Sequence, residues 1–305
     1  MKRKVSISTG FLQNTYGDLE AIEIAKKVGA DAIDFDTCGA RWDYRNANSI
    51  YSKSDDEFVD YFTKLKKRAD ELGLEIGQTH GRITGFYNIK EEDDALIKNS
   101  ERDCFAASIL GAPVVIIHSV GSGKFGADAD RKLMHNLNFD MFTRILEHAK
   151  KYNVKLASET FGDCPSLGCC DFFGWINELV ISYNRVCAVG DNAKYMSYCV
   201  DTGHSNKAMR FGNPTPGDVI RILGPNISTL HLHDNDTLTD QHKLPMTGTI
   251  NWNDIFDALE EVAYDGIYNC EVALANFGKD FAIDHAEFCV KLMRHMLRQR
   301  YGENA

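Results

Sequence analysis

Residues 229–252, TLHLHDNDTLTDQHKLPMTGTINW, pack His233, Asp234, Asp236, Asp240 and His242 into a span of ten. Imidazole nitrogen and carboxylate oxygen are the donors that divalent zinc, manganese, cobalt or iron takes. An Asp-x-His pair such as Asp240 and His242 lets one loop aim two ligands at one ion. The preceding run alternates apolar and polar residues, so a strand ends here in ligand chemistry. A merely solvated loop would have no counterparts elsewhere in the chain, yet counterparts recur.

His80, His118, Glu159, Asp201 with His204, His233 and Glu271 each close an apolar run, at intervals of roughly 32 to 42 residues, about one strand-helix unit. Glu159 follows KLAS and Glu271 follows IYNC, runs that read as buried strands, where a carboxylate needs a partner or a metal. In Asp201-Thr-Gly-His204, Gly203 permits the turn that returns the second side chain toward the first. The alternative for Asp201 is an N-cap of the next helix.

The elements that must position these groups alternate regularly. Apolar runs at 5–8, 30–37, 74–80, 113–119, 154–160, 196–201, the run before His233, and 266–272 read as strands. Between and after them, 19–28, 55–72, 92–110, 131–152, 171–182, 216–223, 252–262 and 280–300 carry helical spacing, with Gly29, Gly73 and Gly111 as stops. Eight such units predict an α/β fold, a single (β/α)8 TIM barrel spanning 1–305. An open doubly wound sheet is the rival, but no Gly-x-Gly-x-x-Gly turn follows the first strand. In a barrel the ladder residues converge on one axis, and the long loops 37–54, 80–90, 120–130, 161–170 and 234–250 share the catalytic face. On those loops Trp42, Phe86, Tyr87 and Phe125 are candidates for the apolar wall of a pocket, and Arg82 and Lys124 for contact with a substrate phosphate.

With 44% hydrophobic and 26% charged residues the chain has material for a sizeable core. No apolar run is long enough for a membrane span and the start lacks a signal-peptide pattern, so a cytoplasmic protein is expected. The nine cysteines fall mostly inside apolar patterns without Cys-x-x-Cys spacing, which reads as reduced packing residues. A net charge of −10 argues against a nucleic-acid partner and leaves a small molecule; a homo-oligomer is open.

DTGH at 201–204, HLHD at 231–234 and HKLPMTGTINW at 242–252, with Glu159 and Glu271 at strand ends, carry a resemblance over residues 5–297. The chain resembles the sugar phosphate isomerase/epimerase family of the xylose isomerase-like TIM barrels, a superfamily that also holds ketose 3-epimerases, inosose enzymes and endonuclease IV. That resemblance implies a divalent ion (Mn, Zn, Co, Fe or Mg) on Glu159, Asp201, His233 and Glu271, with His204 toward substrate; beside it, His118 and His80 as spare imidazoles at strand ends and Trp42 on its loop are substrate-binding candidates from their own chemistry and position. Glu159 and Glu271 would be the catalytic acid and base in a sugar or polyol isomerase or epimerase working through a metal-stabilised enediolate. The epimerases' second glutamate falls on Pro165, and their arginine after the metal histidine has no counterpart. The likeness to endonuclease IV implies a second metal site at His80, His118, Asp240 and His242. It keeps a phosphodiester hydrolase as the alternative, beside an inosose dehydratase-like lyase.

Overall fold

The computed structural model describes residues 3–302; the ends of the expected 1–305 span, and the first two residues of the start read for a signal peptide, lie outside the described residues. Short runs rich in β-branched and small residues suit strands buried on both faces. They form β1 Val5–Ser8, β2 Ala32–Asp36, β3 Glu75–His80, β4 Val114–Ile117, β5 Lys155–Glu159, β6 Met196–Asp201, β7 Ile227–His231 and β8 Tyr268–Cys270. All pairings are parallel, in the order β8-β1-β2-β3-β4-β5-β6-β7. One parallel bridge, Leu232 to Cys270, closes the ring, with Leu232 N–H donating to Asn269 O at 2.8 Å and Glu271 N–H to Leu232 O at 3.2 Å. The result is the expected (β/α)8 barrel.

Helices follow as α1 Gly10–Tyr16, α2 Asp18–Lys27, α3 Asp55–Leu72, α4 Lys90–Leu110, α5 Arg131–Tyr152, α6 Ile176–Cys187, α7 Thr202–Ala208, α8 Pro216–Leu223, α9 Trp252–Glu261 and α10 Ala282–Tyr301. Helix α3 shows why boundaries were readable: Ser54 and Glu57 form a capping box at its start, and Gly73 closes it in the left-handed conformation (φ 60°, ψ 41°). Ile7, Ile33, Phe35, Val115, Ile117, Leu156, Val200 and Leu230 belong to the main core shared with the helices. A separate apolar cluster, Val114, Ile116, Ala157 and Cys199, comes from β4, β5 and β6. The other strands contribute buried polar groups instead: Ser6, Asp34, Gln78, Thr229 and Asn269.

Three features depart from the expected pattern. Helix α1 adds a turn directly after β1, and α7 begins immediately after Asp201. The helix expected over 171–182 is displaced: Asp163–Cys164 pairs with Cys169–Cys170 in a small hairpin, a 3-10 turn follows at Phe172–Gly174, and α6 starts only at Ile176. Asp171 fixes this arrangement by accepting from Ser122 N–H at 2.9 Å and Phe173 N–H at 3.3 Å.

Candidate metal centre and active site

The ladder converges at the carboxyl end of the barrel. The ring of His231, at the end of β7, stands between carboxylates: Nδ1 lies 3.0 Å from Glu159 Oε1, 3.2 Å from Glu271 Oε2 and 3.9 Å from Asp201 Oδ2. Its Nε2 lies 3.1 Å from Asp34 Oδ2. Glu159, Asp201 and His231 are all buried. Burial alone would raise the Glu159 carboxyl, but the His231 and His118 imidazoles outweigh it and hold the group well below the usual carboxylate range. Asp201 is likewise opposed by burial, yet His204 and His233 bring it down to about 2.

Two groups flank this centre. On the β3 and β4 side, His80 and His118 turn Nε2 toward Glu159 Oε2, at 3.5 and 2.9 Å. His118 Nε2 and Glu159 Oε2 are close but not aligned to hydrogen bond, so each is buried without a partner. Ligands aimed at a common third point have this relation. Burial also lowers His118, which favours the neutral imidazole that coordinates. On the opposite flank, Asp240 Oδ2 lies between His204 Nε2 at 3.3 Å and His242 Nε2 at 3.4 Å. The donor atoms of His80, His118 and Glu159 lie within 4.8 Å of one another, as do those of His80, His231 and Glu271 and those of His204, Asp240 and His242. Nitrogen and carboxylate donors at such spacing fit a divalent ion of the zinc, manganese or cobalt class.

A family profile described as xylose isomerase-like TIM barrel matches residues 22–291. The chain belongs to the xylose isomerase-like TIM barrel family. It is 26% identical over 175 residues to an uncharacterized protein of Methanocaldococcus jannaschii, covering 55% of each. The chain spans about half the length of the curated relatives it matches. Among solved structures it superposes on a D-tagatose 3-epimerase-like protein with a TM-score of 0.70 at 18% identity, covering 97% of this chain and 99% of that one. It also superposes on the IolI protein with a zinc atom, with a TM-score of 0.72 at 15% identity and 99% of both chains covered. At these identities the likeness is one of fold.

Within this xylose isomerase-like barrel the expected residues fall unevenly. Glu159, Asp201 and Glu271 meet at the centre, but the imidazole among them is His231 rather than His233. The register explains it: Asp201 is paired with His231 across β6 and β7, so His231 stands level with the carboxylates and His233 one step above. His233 instead meets Asp201 Oδ1 at 3.0 Å and stacks on His242 with ring centroids 3.9 Å apart. Gly203 makes room for it, since a Cβ there would overlap the His233 ring. Asp201 is the N-cap of α7, accepting from His204 N–H at 2.6 Å, while its carboxylate also meets the His233 imidazole.

His80, His118, Asp240 and His242 do not form one second site. They divide between the two flanks. Trp42 does not face the site: it is 2% exposed and packs against Phe35, Tyr51 and Phe62, because the 37–54 loop folds back over the outside of β2. Arg82 is also withdrawn, its Nε donating to buried Asp103 at 3.0 Å. Phe161, which the sequence reading passed over, packs its ring edge-on to His118 at 5.1 Å. Asp36 and Cys38 were passed over too; their donor atoms stand within 4.8 Å of His80's. The run AIDFD carried a usable signal, two carboxylates of the same parity on a strand that must line a barrel.

Proposed function

We propose that the chain is a divalent-metal-dependent isomerase or epimerase of a sugar or cyclic polyol. The observation that supports this best is the convergence of Glu159 and Glu271, from strands three apart in the ring, on the Nδ1 of His231 at 3.0 and 3.2 Å. A divalent ion held by Glu159, Asp201, His231 and Glu271 would act as a Lewis acid on a carbonyl and its neighbouring hydroxyl. The chain's own groups supply the proton traffic. Two carboxylates arriving from different sides of the ring can take a carbon-bound proton from one face and return one from the other. His204 sits 3.5 Å from Glu159 Oε1 and is placed to steer a substrate hydroxyl. Phe161, edge-on to His118 at 5.1 Å, puts an apolar ring on that side of the site.

The solved neighbours include a D-tagatose 3-epimerase-like protein and a D-psicose 3-epimerase studied with D-fructose, and a zinc atom is named for IolI. These support the same reading. The two flanking triads favour one rival, phosphodiester hydrolysis on several metals. Charge speaks against it: Asp34, Asp36, Glu159, Asp201, Asp240 and Glu271 crowd the site, whereas Arg82 is tied to Asp103, and Lys207 and Arg210 to Asp163. A phosphate backbone needs free cations. The same pairings favour an unphosphorylated substrate.

The deciding experiment incubates protein purified without chelator with a panel of ketoses and inososes in deuterated water. Deuterium entering at carbon, with the epimer or isomer as product, supports the proposal. Loss of water from the substrate instead would identify a lyase. Cleavage of abasic DNA with no carbon exchange would overturn both.

A further inference from the structure

We propose that Asp34 is a positioning residue that fixes which ring nitrogen of His231 faces the centre. This deepens the proposed function and rests on its reading that Glu159, Asp201, His231 and Glu271 bind a divalent ion. Asp34 lies on β2, across the barrel from β7, and is 1% exposed. Its Oδ2 meets three donors: His231 Nε2 at 3.1 Å, Ser8 Oγ at 3.1 Å and Asn269 Nδ2 at 3.4 Å. An oxygen surrounded by donors is an acceptor, so Nε2 must carry its hydrogen toward Asp34. Nδ1 is then the nitrogen turned to Glu159, Glu271 and Asp201, and in the metal-binding tautomer it presents a lone pair there.

Without an ion Nδ1 also meets the Glu159 carboxylate, at 3.0 Å, and carries a proton there; once an ion takes that place, Asp34 is the acceptor that keeps the remaining proton on Nε2. The His80 ring stacks on His231 with centroids 5.2 Å apart and planes 12° from parallel, which sets the plane of the ring but not which nitrogen points inward. His231 is fully buried, so water cannot replace Asp34 at Nε2 without a change in packing. Ser8 and Asn269 in turn hold the carboxylate still, each on a strand that neighbours β2 or closes the ring, so the orientation of one imidazole is built from four strands.

The test is Co2+ titration of metal-free full-length protein, wild type against Asp34→Asn and Asp34→Ala, read by visible absorption and by competition with a chelator. Loss of such outer partners typically weakens metal binding about 10- to 100-fold. The expected result is that drop for the tightest site in both variants, with an altered Co2+ spectrum. A purely structural role would lower the melting temperature without moving affinity or spectrum, and that outcome overturns the proposal. If the alanine variant fails to fold, the near-isosteric asparagine variant carries the test. Wild-type protein that binds no Co2+ sinks the metal-centre reading itself, whereas wild-type binding that Asp34→Asn leaves unchanged sinks only the positioning role.

Discussion

On one flank of the centre, His80 ends β3 and His118 follows β4; on the other, His204 rides the first turn of α7 while Asp240 and His242 stand on the 234–250 loop. The donors are similar and the supports are not. The strand-borne imidazoles are 9% and 15% exposed and turn Nε2 toward one carboxylate oxygen, with the His118 contact out of hydrogen-bonding alignment. The loop-side groups are already satisfied by the protein: His204 Nδ1 lies 3.0 Å from Thr160 O, His242 Nδ1 2.8 Å from Glu271 O, and both Nε2 atoms share Asp240. Asp240 and His242 are also 35% and 25% exposed, and His242 sits at φ 43°, a backbone region that L-residues enter at some cost. A flank complete without an ion is suited to meeting substrate; a flank with buried atoms left over is suited to holding metal.

The severest challenge to that comparison is Glu159→Gln, because Glu159 serves both the centre and the strand flank. Deuterium exchange should fall about 10²- to 10⁴-fold, the range of a lost general acid or base. Metal content should fall with it while circular dichroism stays unchanged. Glu271→Gln should cost comparable turnover yet leave the His80 and His118 side loaded. Near-wild-type turnover in either variant contradicts the assigned role.

A second experiment asks whether the strand flank holds metal at all. Elemental analysis of His118→Ala should show about one ion fewer per chain than wild type, with activity down about 10- to 100-fold. A wild-type content of one, unchanged by the substitution, would turn His80 and His118 into substrate or structural groups. Smaller effects are expected on the loop flank, where Asp240→Asn should raise KM by no more than about 10-fold and leave metal content intact, since the amide keeps an acceptor oxygen and the loss is that of an ordinary hydrogen bond, about 0.5–1.5 kcal/mol. Loss of an ion there would erase the distinction between the flanks. Trp42→Phe provides the baseline: it should lower stability by ~1–3 kcal/mol through incomplete filling of its aromatic cluster, with KM and metal content unmoved.

Much of this arrangement could be read from the chain because it is periodic. Polar residues closing apolar runs once per strand-helix unit mark the axis of a barrel, and caps such as Ser54 and Gly73 mark where α3 begins and ends. Height along the axis was harder. His231 and His233 share a parity, so alternation puts both inside; which one meets Glu159 depends on the β6–β7 register, shifted by an irregularity between Tyr198 and Cys199. The placement of Trp42 depended on the path of a long loop, which no local pattern specifies. Asp34 was missed because its partner His231 lies 197 residues away.

The seam of the barrel has its own consequence. Strand β8 is joined to β1 through three residue pairs but to β7 through the single Leu232–Cys270 bridge. His231 and Glu271 lie beside that bridge, one on each side, so any ligand gripping both would rivet the weakest joint of the ring. Amide hydrogens at Leu232 and Glu271 should then exchange with solvent more slowly when the centre is loaded, and chelation should loosen the cylinder along this one line before it loosens anywhere else.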